Sequence, residues 1–82
     1  MIKVKFFGIL RLKVEISSME VESDRIDKLL NKIANTYKEI TLDDLKKCII
    51  YVNSTDISEL KLYKTKLKEG DEIQVFSPAA GG

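Results

Sequence analysis

The sequence predicts an α+β domain, a mixed sheet of four to five strands with one main helix and a short second helix. Three observations carry this. The chain opens and closes on short segments with the two-residue period of half-buried strands. One central stretch repeats its apolar residues at helical spacing. And 82 residues suffice for one domain, here residues 1–82, and no more.

Residues 2–7, Ile-Lys-Val-Lys-Phe-Phe, alternate, so Ile2, Val4 and Phe6 share one face and Lys3, Lys5 and Phe7 the other. Gly8 punctuates the end. Residues 9–13 fit a helical turn or a loop. Residues 14–22 alternate again, with a change of apolar parity between Ile16 and Met19, which predicts a strand broken or bulged at Ser17-Ser18. A helix follows, capped by Ser23 or Asp24, whose short oxygen side chains accept from the free N–H groups of a first turn. Ile26, Leu29, Leu30, Ile33, Ala34 and Tyr37 form its apolar stripe. A second, short helix starts near Thr41, with Thr41 and Asp44 at capping-box spacing and Leu42 and Leu45 as anchors. Residues 48–52, Cys-Ile-Ile-Tyr-Val, are rich in β-formers and read as a buried strand. Residues 55–63 suggest a short strand and a loop. Lys68-Glu69-Gly70-Asp71 reads as a tight turn with Gly70 at positive φ, and residues 72–76 as the last strand. A hairpin, a crossover helix and further strands make the β-grasp, or ubiquitin-like, arrangement.

Composition narrows the chemistry. The net charge of +1, from 14 basic and 13 acidic residues, lacks the basic excess of a nucleic-acid binder. No apolar run reaches membrane-spanning length and no signal peptide opens the chain. The single cysteine, Cys48, has no internal disulfide partner, and these features together point to the cytosol. It reads as a buried small hydrophobe. There is no histidine, so the usual general base near neutral pH is missing, as is the commonest metal ligand. No metal site, phosphate loop or nucleophile elbow is expected. A carrier or binding module fits better than a self-contained enzyme.

The chain ends on Gly81-Gly82. Glycine is about 7% of average sequence, so two at the end by chance is roughly a 0.5% event. A frayed terminus is the plain reading. The placement, directly after the last strand of this pattern and with no bulky residue beyond Pro78, favours a working tail over residues 77–82. About six extended residues reach roughly 20 Å. Glycines lack Cβ, so Gly81 and Gly82 can thread a narrow channel, with Ala79 and Ala80 behind them and Pro78 stiffening the exit. A free carboxylate arrives at the partner's site. It becomes an acyl donor once ATP converts it to an acyl-adenylate, and the carrier needs no catalytic side chain of its own.

The sequence resembles the small sulfur-carrier subunits of molybdopterin synthase, the MoaD/ThiS group. The matching pieces are Lys5-Phe6-Phe7-Gly8 with Arg11, Val52-Asn53, Leu67-Lys68-Glu69-Gly70-Asp71-Glu72-Ile73 and Phe76-Ser77-Pro78-Ala79-Ala80-Gly81-Gly82. The resemblance implies that Gly82 is adenylated by an ATP-using, ubiquitin-activating-like adenylyltransferase and converted to a thiocarboxylate. That group would then enter the large catalytic subunit of molybdopterin synthase and donate sulfur to a precursor of the molybdenum or tungsten cofactor. The chain would bind no cofactor itself. Family tails often carry two prolines; Ser77 stands at the first place here. The helical 41–47 segment favours the molybdopterin branch over the shorter thiamine-pathway carriers. Alternatives are a carrier for thiamine or another sulfur-containing metabolite, a ubiquitin-like protein modifier, and an interaction module with an idle tail.

Strand parity predicts a docking face. If Ile2, Val4, Phe6, Ile73 and Val75 face the helix, Phe7 and Phe76 face away. On the strand over 48–52, Cys48, Ile50 and Val52 face in, and Ile49 and Tyr51 face out. Phe7, Phe76, Ile49 and Tyr51 would then form an apolar patch beside the tail, the mark of a partner site. Arg11 would add to it on the family resemblance or pair with an acid.

Overall fold

The computed structural model describes residues 1–14 and 17–77. Its elements are β1 (Ile2–Phe7), α1 (Ile9–Val14), β2 (Ser18–Val21), α2 (Ile26–Thr36), α3 (Leu42–Lys46), β3 (Ile49–Val52), β4 (Thr55–Asp56) and β5 (Glu72–Phe76). Two 3₁₀ turns, Ile57–Glu59 and Leu62–Lys64, lie between β4 and β5. The five strands form one sheet in the order β2-β1-β5-β3-β4. The central pair β1–β5 is parallel; β1–β2, β3–β5 and β3–β4 are antiparallel.

Alternation along the strands decides which face is dry. Ile2, Val4 and Phe6 from β1, Ile73 and Val75 from β5, and Ile50 and Val52 from β3 are buried. They meet Ile26, Leu29, Leu30 and Ile33 of α2, all fully buried, with Leu45 and Ile40 closing one end. Ala34 and Tyr37 are half-buried at the edge of that stripe. The β-grasp expectation is met, with five strands.

Local expectations fare unevenly. The capping box forms: Thr41 Oγ1 accepts the Asp44 N–H at 3.0 Å, and Asp44 Oδ2 accepts the Thr41 N–H at 3.1 Å. Gly70 turns at φ +89°. Asn53 and Ser54, at φ +50° and +75°, turn β3 into β4 with the left-handed backbone that tight hairpins need.

Three expectations are corrected. Residues 9–13 take the helical option and the helix runs on through Val14, where a strand was expected; among the described residues that strand covers Ser18–Val21. Leu10 and Val14 lie four apart, whereas Leu12, Val14 and Ile16 alternate; both periods are written in the same segment. Burial of Leu10 in the core accompanies the helical choice. The break expected at Ser17-Ser18 marks where β2 begins. Neither Ser23 nor Asp24 caps α2. The N-cap is Arg25, without a side-chain cap. The N-terminal amides are served otherwise: Ile26 N–H donates to Thr65 O at 3.0 Å, and Asp27 Oδ1 accepts the Lys28 N–H at 2.8 Å. Finally, Cys48 precedes β3 instead of belonging to it. Its half-buried thiol donates to Asp44 O at 3.4 Å.

Candidate functional site

The face of the sheet opposite α2 carries the candidate site. Register places its members. Phe7 of β1 lies beside Phe76 of β5, and Ile49 of β3 lies opposite Phe76 on the other side. The Phe7 and Phe76 rings stack, with centroids 4.6 Å apart and planes 11° apart. The Tyr51 ring meets Phe76 edge-on at 5.4 Å. Both arrangements suit the ring quadrupole. Ile49 is 51% exposed and Phe7 36%. All four residues therefore sit on the side that strand parity assigned them. They are polar-rimmed: Lys5, Ser54, Glu72 and Gln74 join Phe7, Tyr51 and Phe76 around a shallow depression of about 360 Å³.

The rim is internally paired. Lys5 Nζ stands 3.6 Å from Glu72, and the Gln74 amide donates to Glu72 Oε2 at 2.6 Å. The Gln74 hydrogen bond, with help from Lys5, holds the Glu72 carboxyl below its ordinary range. Glu72 is thus an anion held in place, unsuited to taking up a proton near neutral pH. Burial, and secondarily the Asp44 charge, push the Cys48 thiol up. No group of three histidine, cysteine or acidic side chains among the described residues could hold a metal ion.

β5 ends at Phe76, so the chain leaves the sheet beside this patch. Ser77, the first residue of the expected tail, is fastened to the β1–α1 junction. Its Oγ accepts the Leu10 N–H at 3.2 Å and donates to Phe7 O at 3.3 Å. Its own N–H donates to the same carbonyl at 3.4 Å. Gly8 makes room for it: a Cβ there would lie 2.5 Å from Ser77 Oγ. Sequence reasoning missed this contact. The departure from the two-proline tail at Ser77 was its only visible sign.

Arg11 is exposed on α1 and does not line the depression, and it makes no ion pair among the described residues. The roles expected of Pro78, Ala79, Ala80, Gly81 and Gly82 lie outside the described residues. No helix among the described residues is long and apolar enough to cross a membrane.

Known proteins with this geometry form a consistent set. The solution structure of small archaeal modifier protein 1 from Methanosarcina acetivorans superposes with a TM-score of 0.87 at 23% identity, covering 99% of this chain and 95% of that one. CysO of Mycobacterium tuberculosis gives 0.81 at 20% identity, with 96% and 99% covered. In the complex of subunits 1 and 2 of molybdopterin-converting factor from Helicobacter pylori, the matching chain gives 0.67 at 25% identity, with 99% and 97% covered. No curated protein matches the chain. The model of the ThiS family matches residues 4–82, nearly the whole sequence. On that match, the chain belongs to the ThiS family, within the MoaD/ThiS group of ubiquitin-like sulfur carriers.

Proposed function

We propose that this chain carries sulfur as a thiocarboxylate on Gly82 and delivers it in the assembly of molybdopterin. The observation that carries the reading is where β5 ends. The strand is paired on both sides, and its last residue, Phe76, belongs to the partly exposed aromatic cluster. A partner gripping that cluster meets the start of the tail at the same place. One docking event then delivers the C-terminal carboxylate into the partner's active site, where holding reactants in place replaces a bimolecular search.

The chemistry follows from the carboxylate. A ubiquitin-activating-like adenylyltransferase transfers AMP from ATP to the Gly82 carboxylate, releasing pyrophosphate. A sulfur nucleophile displaces AMP and leaves the thiocarboxylate. In the large catalytic subunit of molybdopterin synthase, that sulfur attacks a carbon of the pterin precursor and displaces an oxygen leaving group, forming a thioester to Gly82. Water then cleaves the acyl C–S bond, which returns the Gly82 carboxylate and leaves the sulfur on the pterin as a thiol. This chain supplies reach, clearance and grip, and the partners supply every catalytic group. The subunit 1 and 2 complex from H. pylori, at 25% identity, supports a protein partner of this kind.

Intact mass spectrometry with the activating enzyme, ATP and a sulfur donor tests the carrier step. The expected product replaces one oxygen by sulfur, and a chain lacking Gly81 and Gly82 stays unchanged. Adding the large subunit and the pterin precursor tests the client: molybdopterin should form and the carboxylate return. A thiocarboxylate that is stable to that mixture would move the client to thiamine or another sulfur-containing metabolite. Gly82 isopeptide-linked to lysines of other proteins would make the chain a modifier.

A further inference from the structure

The geometry points to Ser77 as a positioning residue that locks the root of the tail to the β1–α1 junction and so sets how the C-terminus is presented. This rests on the carrier reading above and adds a residue to it. A hydroxyl has one proton to give and lone pairs to accept with. At Ser77 both capacities are used on backbone: it accepts from Leu10 N–H and donates to Phe7 O. Leu10 lies in the first turn of α1, where amides have no partner within the helix. The residue before that helix is Gly8, which has no side chain to cap it. Ser77 supplies the missing cap from 67 residues away in sequence.

The cavity that receives the hydroxyl is made by glycine for two reasons. Gly8 turns at φ +76°, a conformation that side chains resist, and a Cβ there would strike Ser77 Oγ. Gly8 and Ser77 therefore work as a pair. The pair binds the two parallel central strands just where both end, beyond the Phe7–Phe76 register. Without it, the last ladder bond is the long Ser77–Phe7 contact, and the end of β5 is free to fray. A proline at 77 would stiffen φ but could make neither the hydroxyl contacts nor the N–H contact. This chain fixes by hydrogen bonds what a second proline would fix by its ring. The ordering is done before the partner arrives, which lowers the entropy cost of threading the tail.

The test compares Ser77→Ala, Ser77→Thr and Gly8→Ala with the native chain in two readouts. In amide hydrogen exchange and ¹⁵N relaxation, Ser77→Ala and Gly8→Ala should expose the Leu10 amide and loosen the amides of Phe76 and Ser77, whereas Ser77→Thr retains the protection. In ATP-dependent activation of Gly82, Ser77→Ala should raise KM for the chain about tenfold, the weight of one or two hydrogen bonds, and leave kcat within about twofold. Ser77→Thr should restore KM. Native-like Leu10 exchange and native KM in Ser77→Ala would overturn the lock. So would a loss in kcat alone. Should Gly8→Ala fail to fold, the serine pair still decides. Should the native chain never be activated, the carrier reading falls, and the exchange and relaxation data alone decide whether Ser77 locks the strand end.

Discussion

The Asn53 amide donates to Asp71 Oδ1 at 2.9 Å, joining the β3–β4 turn to the turn that launches β5. The same asparagine accepts the Glu72 N–H on its Oδ1 at 2.9 Å. Asp71 is 6% exposed, and its Oδ2 accepts the Lys68 N–H at 2.9 Å. The Asp71 carboxylate thus ties the two turns together, and Asn53 holds Glu72, the first residue of β5. Phe76 and Ser77 lie at the other end of that strand.

Asp71→Ala should therefore destabilise the fold by about 1–2 kcal/mol, since it leaves two part-buried donors, on Asn53 and Lys68, without acceptors. That is a large fraction of the roughly 4–12 kcal/mol expected for a domain this size. Asp71→Asn should cost less, because it keeps one acceptor. Urea unfolding checks both: the midpoint should fall with its slope unchanged.

Phe76→Asp should abolish docking and spare the fold. It removes the ring that both Phe7 and Tyr51 touch and puts a charge in the middle of the patch. Affinity for the large subunit and for the activating enzyme should weaken by more than about thirtyfold, the range of a central anchor residue. Phe7→Asp should act in the same direction. Titration calorimetry measures the loss, and far-UV circular dichroism should stay native. Unchanged affinity in both variants would remove the patch from the mechanism.

Acid should destabilise the protein in a window that Glu72 and Asp27 define. Both carboxyls are held below their ordinary values, Glu72 first by Gln74 and Asp27 first by Arg25. The native state then binds fewer protons than the unfolded chain, so stability rises with pH in that window. The contribution of Glu72 is complete above about pH 4.5 and disappears as pH falls through its lower native value. That of Asp27 behaves alike below about pH 3.8. Urea midpoints followed from pH 6 downward should decline there. Glu72→Gln should flatten the upper part of the decline. A slope identical to the native one would contradict the assignment.

Cys48 should alkylate slowly. Burial and the Asp44 charge raise its thiol pKa, so little thiolate is present near pH 8, and thiolate is the reacting form. Its rate with iodoacetamide, followed by mass, should be several-fold below that of the same chain in denaturing urea. Equal rates would show the thiol to be open and unshifted.

Much of this fold is local and therefore legible. β1 and β5 announce themselves by alternation, β3 by its run of β-formers, α2 by its stripe and α3 by Thr41 and Asp44, because each signal lies within a few residues. The outward placement of Phe7, Ile49, Tyr51 and Phe76 follows from parity alone once the inward face is known. The misread residue is Val14, assigned to a strand and found in a helix, because two periods coexist around it and neither wins locally. The misread cap is at 23–25, where Thr65 and Asp27 serve the helix end instead of Ser23 or Asp24.

Period, propensity and order along the chain suffice for the sheet's inward and outward faces and for the main helix. Tertiary structure decided that residues 9–14 form a helix, that Asp71 joins two turns, and that Ser77 fits into the space left by Gly8. Each of those needs groups from distant parts of the chain to meet. A hydroxyl 67 residues from the amide it caps leaves no trace in local spacing. It becomes visible only when parallel β1 and β5 bring their ends side by side.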